Sequence, residues 1–191
     1  IVAACGYAMS WGGFPEHDGG KTVRPVASAG DTGGYLAAAR FSWADTDRGR
    51  GPSGAAIRLG QVTFCQNMLT DSDFEPWRRE ATKRGYAASI ALPLNSRDGI
   101  LGALSIYSRE ANPFLDEEVK LLKELAAGIS EGIMTIRLRA VRARAEEILR
   151  RDKATLEKLV ERRSRELIVS QEELAKTRRL SEIGALADTV A

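Results

Sequence analysis

Few side chains in this sequence have the types and spacing that metal or nucleophile chemistry requires. There are two cysteines, Cys5 and Cys65, and one histidine, His17, too few for a four-ligand zinc site or a disulfide framework. His17 sits in PEHDGG, a turn-forming string expected to be exposed. Cys65, in TFCQN, reads as a small apolar side chain of a strand. No Gly-x-Ser-x-Gly elbow, P-loop or His-Glu-x-x-His is present. GRGPSG is glycine-rich, but without a Gly-Lys-Ser/Thr ending it reads as a loop and helix cap rather than a phosphate cradle. What remains is the equipment of a small-molecule pocket, aromatic rings beside a few polar groups. Trp43, Trp77, Ser89, Ser105 and Tyr107 are the candidates, with plain core packing as the alternative for the aromatics. No cofactor and no metal site are identifiable, and the ligand of such a pocket is unknown.

These candidates need a scaffold, and the sequence supplies two kinds. Only three of the 18 glycines lie beyond residue 110, and residues 114–191 contain no proline, so a globular part is followed by a long helix. AACGYAMSW and KTVRPVASAG read as two strands joined by the turn-rich GGFPEHDGG. GYLAAARFSW is a short helix or turn before an exposed loop, ADTDRGRGPSG. SGAAIRLGQ offers Ser53 as an N-cap and Gly60 as a stop, VTFCQNM is a strand, and DFEPWRREATKRG is a helix with Pro76 in its first turn and Gly85 at its end. YAASIALPLN and ILGALSIYS are strands linked by SRDG, a hairpin turn. Ile90, Leu92 and Leu94 alternate with Ser89, Ala91 and Pro93, and Leu104 and Ile106 with Ser105 and Tyr107, so one face is apolar and the other small or polar. Strands paired in hairpins with helices between them predict an α+β fold, a central antiparallel sheet flanked by helices.

Asp116 can cap the last helix, and Glu117 and Glu118 favour its N-terminus. One helix over 117–191 would be about 110 Å long at 1.5 Å per residue. Val119, Leu122, Leu125, Ala126 and Ile129 are spaced to pack on the sheet. Gly128 and Gly132 lie four apart on one face, for simple packing or for a close approach between helices. Further on, Leu149, Leu156, Val160, Leu167 and Leu174 form a heptad-like seam whose opposite layer, Arg163, Ser170 and Thr177, is polar. Such a seam makes a marginal coiled coil and predicts a homodimer through the long helix. After Leu174 the seam changes register to Leu180, Ile183, Ala187 and Val190.

Four strings, RGRGPSGAAIRLGQ, DSDFEPWRREATKRGYAASIALPL, GILGALSIYS and NPFLDEEVKLLKELA, together resemble the GAF sensory domain of bacterial sensor kinases over most of residues 1–136. The resemblance implies helices on both faces of the sheet, one set enclosing a small-molecule pocket, and a helix before the first strand that this sequence lacks or has lost. Cyclic-nucleotide members carry an Asn-Lys pair, whereas here Asn112 is followed by Pro113, a departure from that pattern. LSEIGALADTVA resembles the segment leading into the dimerisation and phosphoacceptor domain of histidine kinases, and implies a chain cut immediately before the phosphoaccepting histidine.

The expected organisation is therefore a GAF-like domain at 1–136, a signalling helix at 137–180 and the start of the phosphoacceptor helix at 181–191. Half of the 28 lysines and arginines fall between residues 137 and 182, a stretch without a single aromatic residue, which argues against a nucleic-acid surface. No apolar run approaches the ~18 residues that span a bilayer, and unpaired cysteines fit a reducing, cytoplasmic setting, although an anchor before residue 1 stays open. The function expected is signal input and dimerisation for a sensor histidine kinase whose ATP-using core and response regulator lie outside this chain. The alternatives are a purely structural dimerisation module with a vestigial pocket, or an input domain for a cyclase or transcription activator.

Overall fold

The computed structural model describes the backbone of residues 2–190 and the side chains of these except Ala3, Ala4, Thr177 and residues 179–190. The expected seam positions Thr177, Leu180, Ile183, Ala187 and Val190 lie outside the described side chains. Two compact units are present, Ile1–Ile136 and Arg137–Ala191.

In the first unit five strands make one antiparallel sheet in the order β2-β1-β5-β4-β3. They are β1 (Met9–Pro15), β2 (Val23–Gly30), β3 (Thr63–Cys65), β4 (Ala88–Ser96) and β5 (Gly99–Ser108). The β4–β5 ladder pairs Ser89 with Tyr107, Ala91 with Ser105 and Leu92 with Leu104, so the period of two separates the side chains onto two faces. One face carries Ala88, Ile90, Leu92, Leu94, Leu104 and Ile106 into a core closed by Phe114, Leu122 and Ala126. The other carries Met9, Trp11, Ala91, Ala103 and Tyr107 into a second core, beneath α2 (Tyr35–Ala39), α3 (Pro52–Leu59) and α4 (Glu75–Thr82). The small and polar face is thus as buried as the apolar one: Ser89 and Ser105 are each 1% exposed. The edge strand β2 is exposed from Arg24 onward, and its Arg24 and Pro25 are residues that discourage edge-to-edge pairing.

Several local expectations are corrected. The first strand starts at Met9, and Val2–Cys5 is a helical turn, α1, ended by Gly6 at φ 73°; a short helix therefore does precede the sheet. Ser53 is not an N-cap. Gly51 holds that position without a side-chain bond, because the Ser53 hydroxyl is drawn inward to share a 2.8 Å hydrogen bond with Ser105. The expected loop 44–54 is partly buried and contains a 3-10 turn, Asp47–Gly49. Glycine is needed at Gly51 because a Cβ there would lie 2.5 Å from Cζ3 of Trp77. Gly60 does stop α3, at φ 66°.

The last helix, α5, runs over Asp116–Val190, with Asp116 as its first residue rather than a cap. Leu122 and Ala126 are buried, and Val119, Ile129 and Ile133 pack beside them. Leu125, expected on that face, is 38% exposed: it lies with Leu121, Gly128 and Gly132 on the flank beside the buried face, and nothing outside the helix's own nearby backbone comes within 4 Å of a Cβ built on either glycine. In the second unit Leu149, Leu156, Val160, Leu167 and Leu174 are exposed, and ion pairs at helical spacing such as Arg142–Glu146 at 2.7 Å lie along it.

Loops over the second core are held by side chains donating to carbonyls. Arg58 of α3 reaches the carbonyls of Trp43, Ala44 and Gly49 at 3.4, 3.1 and 2.8 Å. Arg58→Ala would leave these half-buried acceptors without their charged donor, and should cost roughly 2–3 kcal/mol. Urea unfolding of the variant checks this, and a change within error would show that the loop is not held by Arg58.

Candidate functional site

The candidate site is the face of the sheet beneath α2, α3 and α4. Its floor comes from strand alternation: Trp11 on β1 stands opposite Ser105 on β5, Tyr107 opposite Ser89 on β4, and Ser89 opposite Cys65 on β3. Tyr107 lies on β5, the central strand. Above it Tyr35 of α2 is the hub of an aromatic cluster. Its ring lies 5.4 Å from that of Tyr107, 5.5 Å from Tyr86 and 5.9 Å from Phe41, and Phe41 in turn lies 4.4 Å from Trp11. These are edge-to-face and tilted contacts that favour fixed ring positions.

Trp77 is buried and donates from Nε1 to the Ala39 carbonyl at 3.0 Å, so it secures α2 to α4. A cavity of about 10 Å³ lies between Trp77, Tyr107, Ser53, Phe41, Phe74 and Arg48, about the space of one water molecule. Of the five expected pocket residues, Trp77, Ser89, Ser105 and Tyr107 stand in this core. Trp43 lies at its margin, where its Nε1 donates to the Glu16 carbonyl at 2.9 Å and its ring meets His17 edge-on and the Lys21 ammonium at 4.7 Å. A larger groove of about 650 Å³, bordered by Val62, Leu92, Lys123 and Ser130 among others, opens to solvent on the α5 side.

Among the described residues, three buried side-chain polar atoms have no hydrogen-bond partner: Trp11 Nε1, the Tyr35 hydroxyl and the Ser89 hydroxyl. All three belong to the same side of the sheet. Sequence reasoning missed Trp11 and Tyr35; for Trp11 the available signal was its even spacing with Met9 on a strand, which puts an indole indoors. The first two approach the Tyr107 hydroxyl without reaching hydrogen-bond geometry; burial pushes that phenol up to about 12, and their nearness opposes the shift. Tyr35 is raised well above its usual value by burial first and by neighbouring Tyr107 second. Burial, with Asp71 nearby, pushes the Cys65 thiol up to about 12, so it is not a ready nucleophile. Every buried polar residue among those described is a serine. No group of three or more His, Cys, Asp or Glu side chains among the described residues is arranged for a metal ion.

Residues 2–134 match the GAF domain family, and the chain belongs to it. No curated protein matches. Among solved structures, the GAF domain region of a putative membrane protein from Geobacter sulfurreducens is similar at 17% identity and TM-score 0.54, over 68% of this chain and 82% of that one. A domain of a putative two-component sensor histidine kinase protein from Sinorhizobium meliloti is similar at 19% identity and TM-score 0.55, over 74% and 88%. Free methionine-R-sulfoxide reductase from Neisseria meningitidis, solved with its substrate, is similar at 20% identity and TM-score 0.54, over 68% and 69%. At these identities the likeness is one of fold.

Two outcomes follow from the buried polar groups. The unfolded chain releases protons from Cys65 and Tyr107 near their ordinary values of 9.0 and 10.0, while the folded chain holds them to about 12. The stability tied to them is therefore complete below pH 9 and is lost as pH rises toward 12. The urea midpoint should be level from pH 7 to 9 and fall beyond; a midpoint unchanged to pH 11 would contradict it. Because the Tyr35 hydroxyl is unpartnered, Tyr35→Phe should stabilise the ligand-free protein by about 1 kcal/mol, and a loss of that size in the same assay would mean that the hydroxyl has a partner.

Proposed function

We propose that this GAF-family chain is the signal-input and dimerisation part of a sensor histidine kinase, in which the aromatic core under α2, α3 and α4 senses a small molecule and α5 carries the result. The observation that carries this reading is the division of labour along α5. Its first segment packs one face on the sheet through Leu122 and Ala126, while Leu121, Leu125, Gly128 and Gly132 leave the flank beside it open. Leu121 and Leu149 stand four heptads apart, and Leu125 and Val160 five, so one seam register runs from the sheet-packed segment into the coiled-coil stretch. Arg139, Arg142 and Glu146 fall at seam positions between them. Such charged layers weaken pairing and let two packings lie within a few kcal/mol of each other.

The sheet reaches α5 through polar ties as well as through the core. The Tyr7 hydroxyl donates to the Glu118 carboxylate in the first turn of α5. Gln66, just past β3, accepts from the Asn112 amide with its backbone and donates to the Phe114 carbonyl at 2.9 Å with its side chain. In this reading the chain has no catalytic residue of its own, and autophosphorylation with ATP and transfer to a response regulator belong to the parent protein. Among the described residues no helix is long and apolar enough to cross a membrane. A second reading, a structural dimerisation module with a vestigial pocket, is favoured by the small size of the cavity, about 10 Å³.

Both readings need the dimer, whose seam includes Leu167 and Leu174. Replacing both with Gln should convert a dimer to a monomer in sedimentation equilibrium and leave the thermal unfolding of the first unit unchanged. A dimer of unaltered affinity would rule out the α5 seam as the interface.

A further inference from the structure

The exposed apolar side chains of α5 are not all accounted for by the seam of Leu149, Leu156, Val160, Leu167 and Leu174. Leu138, Val141 and Ile148 are exposed as well, and with Met134 and Ala145 they belong to neither core of the first unit. These five follow one another at spacings of 4, 3, 4 and 3, the repeat that holds side chains on one face of a helix pairing with another. They make a second apolar stripe over 134–148. It is one residue out of step with the first, since Val141 and Ile148 each stand one before 142 and 149, where the register of Leu149 and Leu156 falls.

The two registers exchange character at residue 149. Carried back from Leu149, the first meets Glu146, Arg142, Arg139 and Thr135, all polar, where the second meets only apolar side chains. Beyond 149 the second meets Asp152, Thr155, Arg162, Glu166 and Glu173 with only Leu159 and Val169 among them, while the first keeps Leu156, Val160, Leu167 and Leu174. The apolar path therefore crosses over through Val141, Ala145 and Leu149, which are spaced four apart. Two successive steps of four interrupt a heptad pattern, and paired helices absorb them by locally unwinding their supercoil. The charges agree with this path. Arg142 is paired with Glu146 at 2.7 Å and Arg150 with Glu147 at 3.0 Å, each within the one helix. The continuous register would draw Arg139, Arg142 and Glu146 into the contact and desolvate them.

Resting on the dimer that both readings of the function require, we infer that this stripe is covered by a second copy of the chain: the copies pair over 134–149 through Met134, Leu138, Val141 and Ala145, and in the register of Leu149 beyond it. Two observations single out a second copy. The stripe runs at helical spacing into Leu149, the first residue of the seam on which that dimer rests. That seam is also short by itself, fewer than four heptads from Leu149 to Leu174 with Lys153, Arg163 and Ser170 as polar layers, and a sustained coiled coil needs at least about that length in apolar layers. The four added layers are all apolar. The continuous register, with its charged layers, is then the second packing, reached by turning each helix through about 100°, the step of one residue.

The test compares neighbouring residues, which point about 100° apart on a helix and so cannot both face the partner. Val141→Gln, Arg142→Gln and Leu156→Gln are measured by sedimentation equilibrium of residues 1–191. All three positions lie outside the first unit, whose thermal unfolding serves as the control for folding, and Gln suits a helix interior. Val141→Gln and Leu156→Gln should each weaken the dimer about tenfold or more, and Arg142→Gln should leave it within about twofold. Leu138→Gln and Arg139→Gln should show the same split one turn earlier. A tighter dimer in Arg142→Gln, with Val141→Gln unchanged, would establish the continuous register and overturn the inference while keeping the dimer. Loss at Leu156 with no change at 141 or 142 would mean that the helices part before Leu149, which overturns it too. No change in any of the three would remove the α5 seam itself, and with it the dimer on which the inference rests.

Discussion

The antiparallel ladder between β4 and β5 is the constraint on which the remaining architecture depends. Each residue pair along it commits one side chain to the α5 side and its neighbour to the side of α2, α3 and α4. A slip of one residue would send Ile90, Leu92 and Ile106 into the aromatic core and Ser89, Ser105 and Tyr107 under α5. The asymmetry of the two faces follows from that register. Aliphatic side chains make an apolar seat for a helix, whereas serines, alanines and aromatics leave polar atoms in the interior. On the proposed reading, in which the chain senses on one side and transmits on the other, a single ladder is the shortest physical connection between the two tasks.

The closed state of the aromatic core has an equally specific cause. The segments above it bury Tyr35, Phe41, Met68 and Phe74 in this core, and long side chains also hold them by donating to backbone carbonyls. Arg58 holds the 43–49 segment, Arg78 donates to Met68 and Asp71 at 2.8 and 2.7 Å, and Tyr86 donates to Asp31 at 2.5 Å. Each such bond contributes on the order of 1–3 kcal/mol when charged, and each can be broken without unpacking the sheet. Opening of these segments would break those polar contacts together with the apolar packing of Phe41 and Trp43.

Much of the scaffold was legible in the sequence because its signals are local. Asp98-Gly99 between two alternating runs marked the β4–β5 hairpin, Pro76 and Gly85 framed α4, and the absence of breakers after Pro113 announced α5. What escaped depends on contacts distant in sequence. Ser53 has the look of a helix cap, yet its hydroxyl is taken by Ser105, 52 positions away. Leu125 fits the helical spacing of a buried residue as well as Leu122 does, and only the placement of the sheet decides between them. Trp11 and Tyr35 read as ordinary aromatics because pattern alone cannot tell whether a buried N–H or O–H finds a partner. The residues nominated for the pocket were chosen by type, and four of the five stand on the same side of the sheet, since strand alternation placed Ser89, Ser105 and Tyr107 together.

The account's central claim is that the aromatic core and the sheet-packed part of α5 respond as one. Amide hydrogen exchange on residues 1–191, in the unaltered chain and in Arg58→Ala, measures this most directly. The account predicts that removing the Arg58 contacts to Trp43, Ala44 and Gly49 alters protection in two places at once, the 43–52 segment above the core and residues 119–133 of α5. A change confined to the 43–52 segment, with α5 exchanging identically in both proteins, would contradict it.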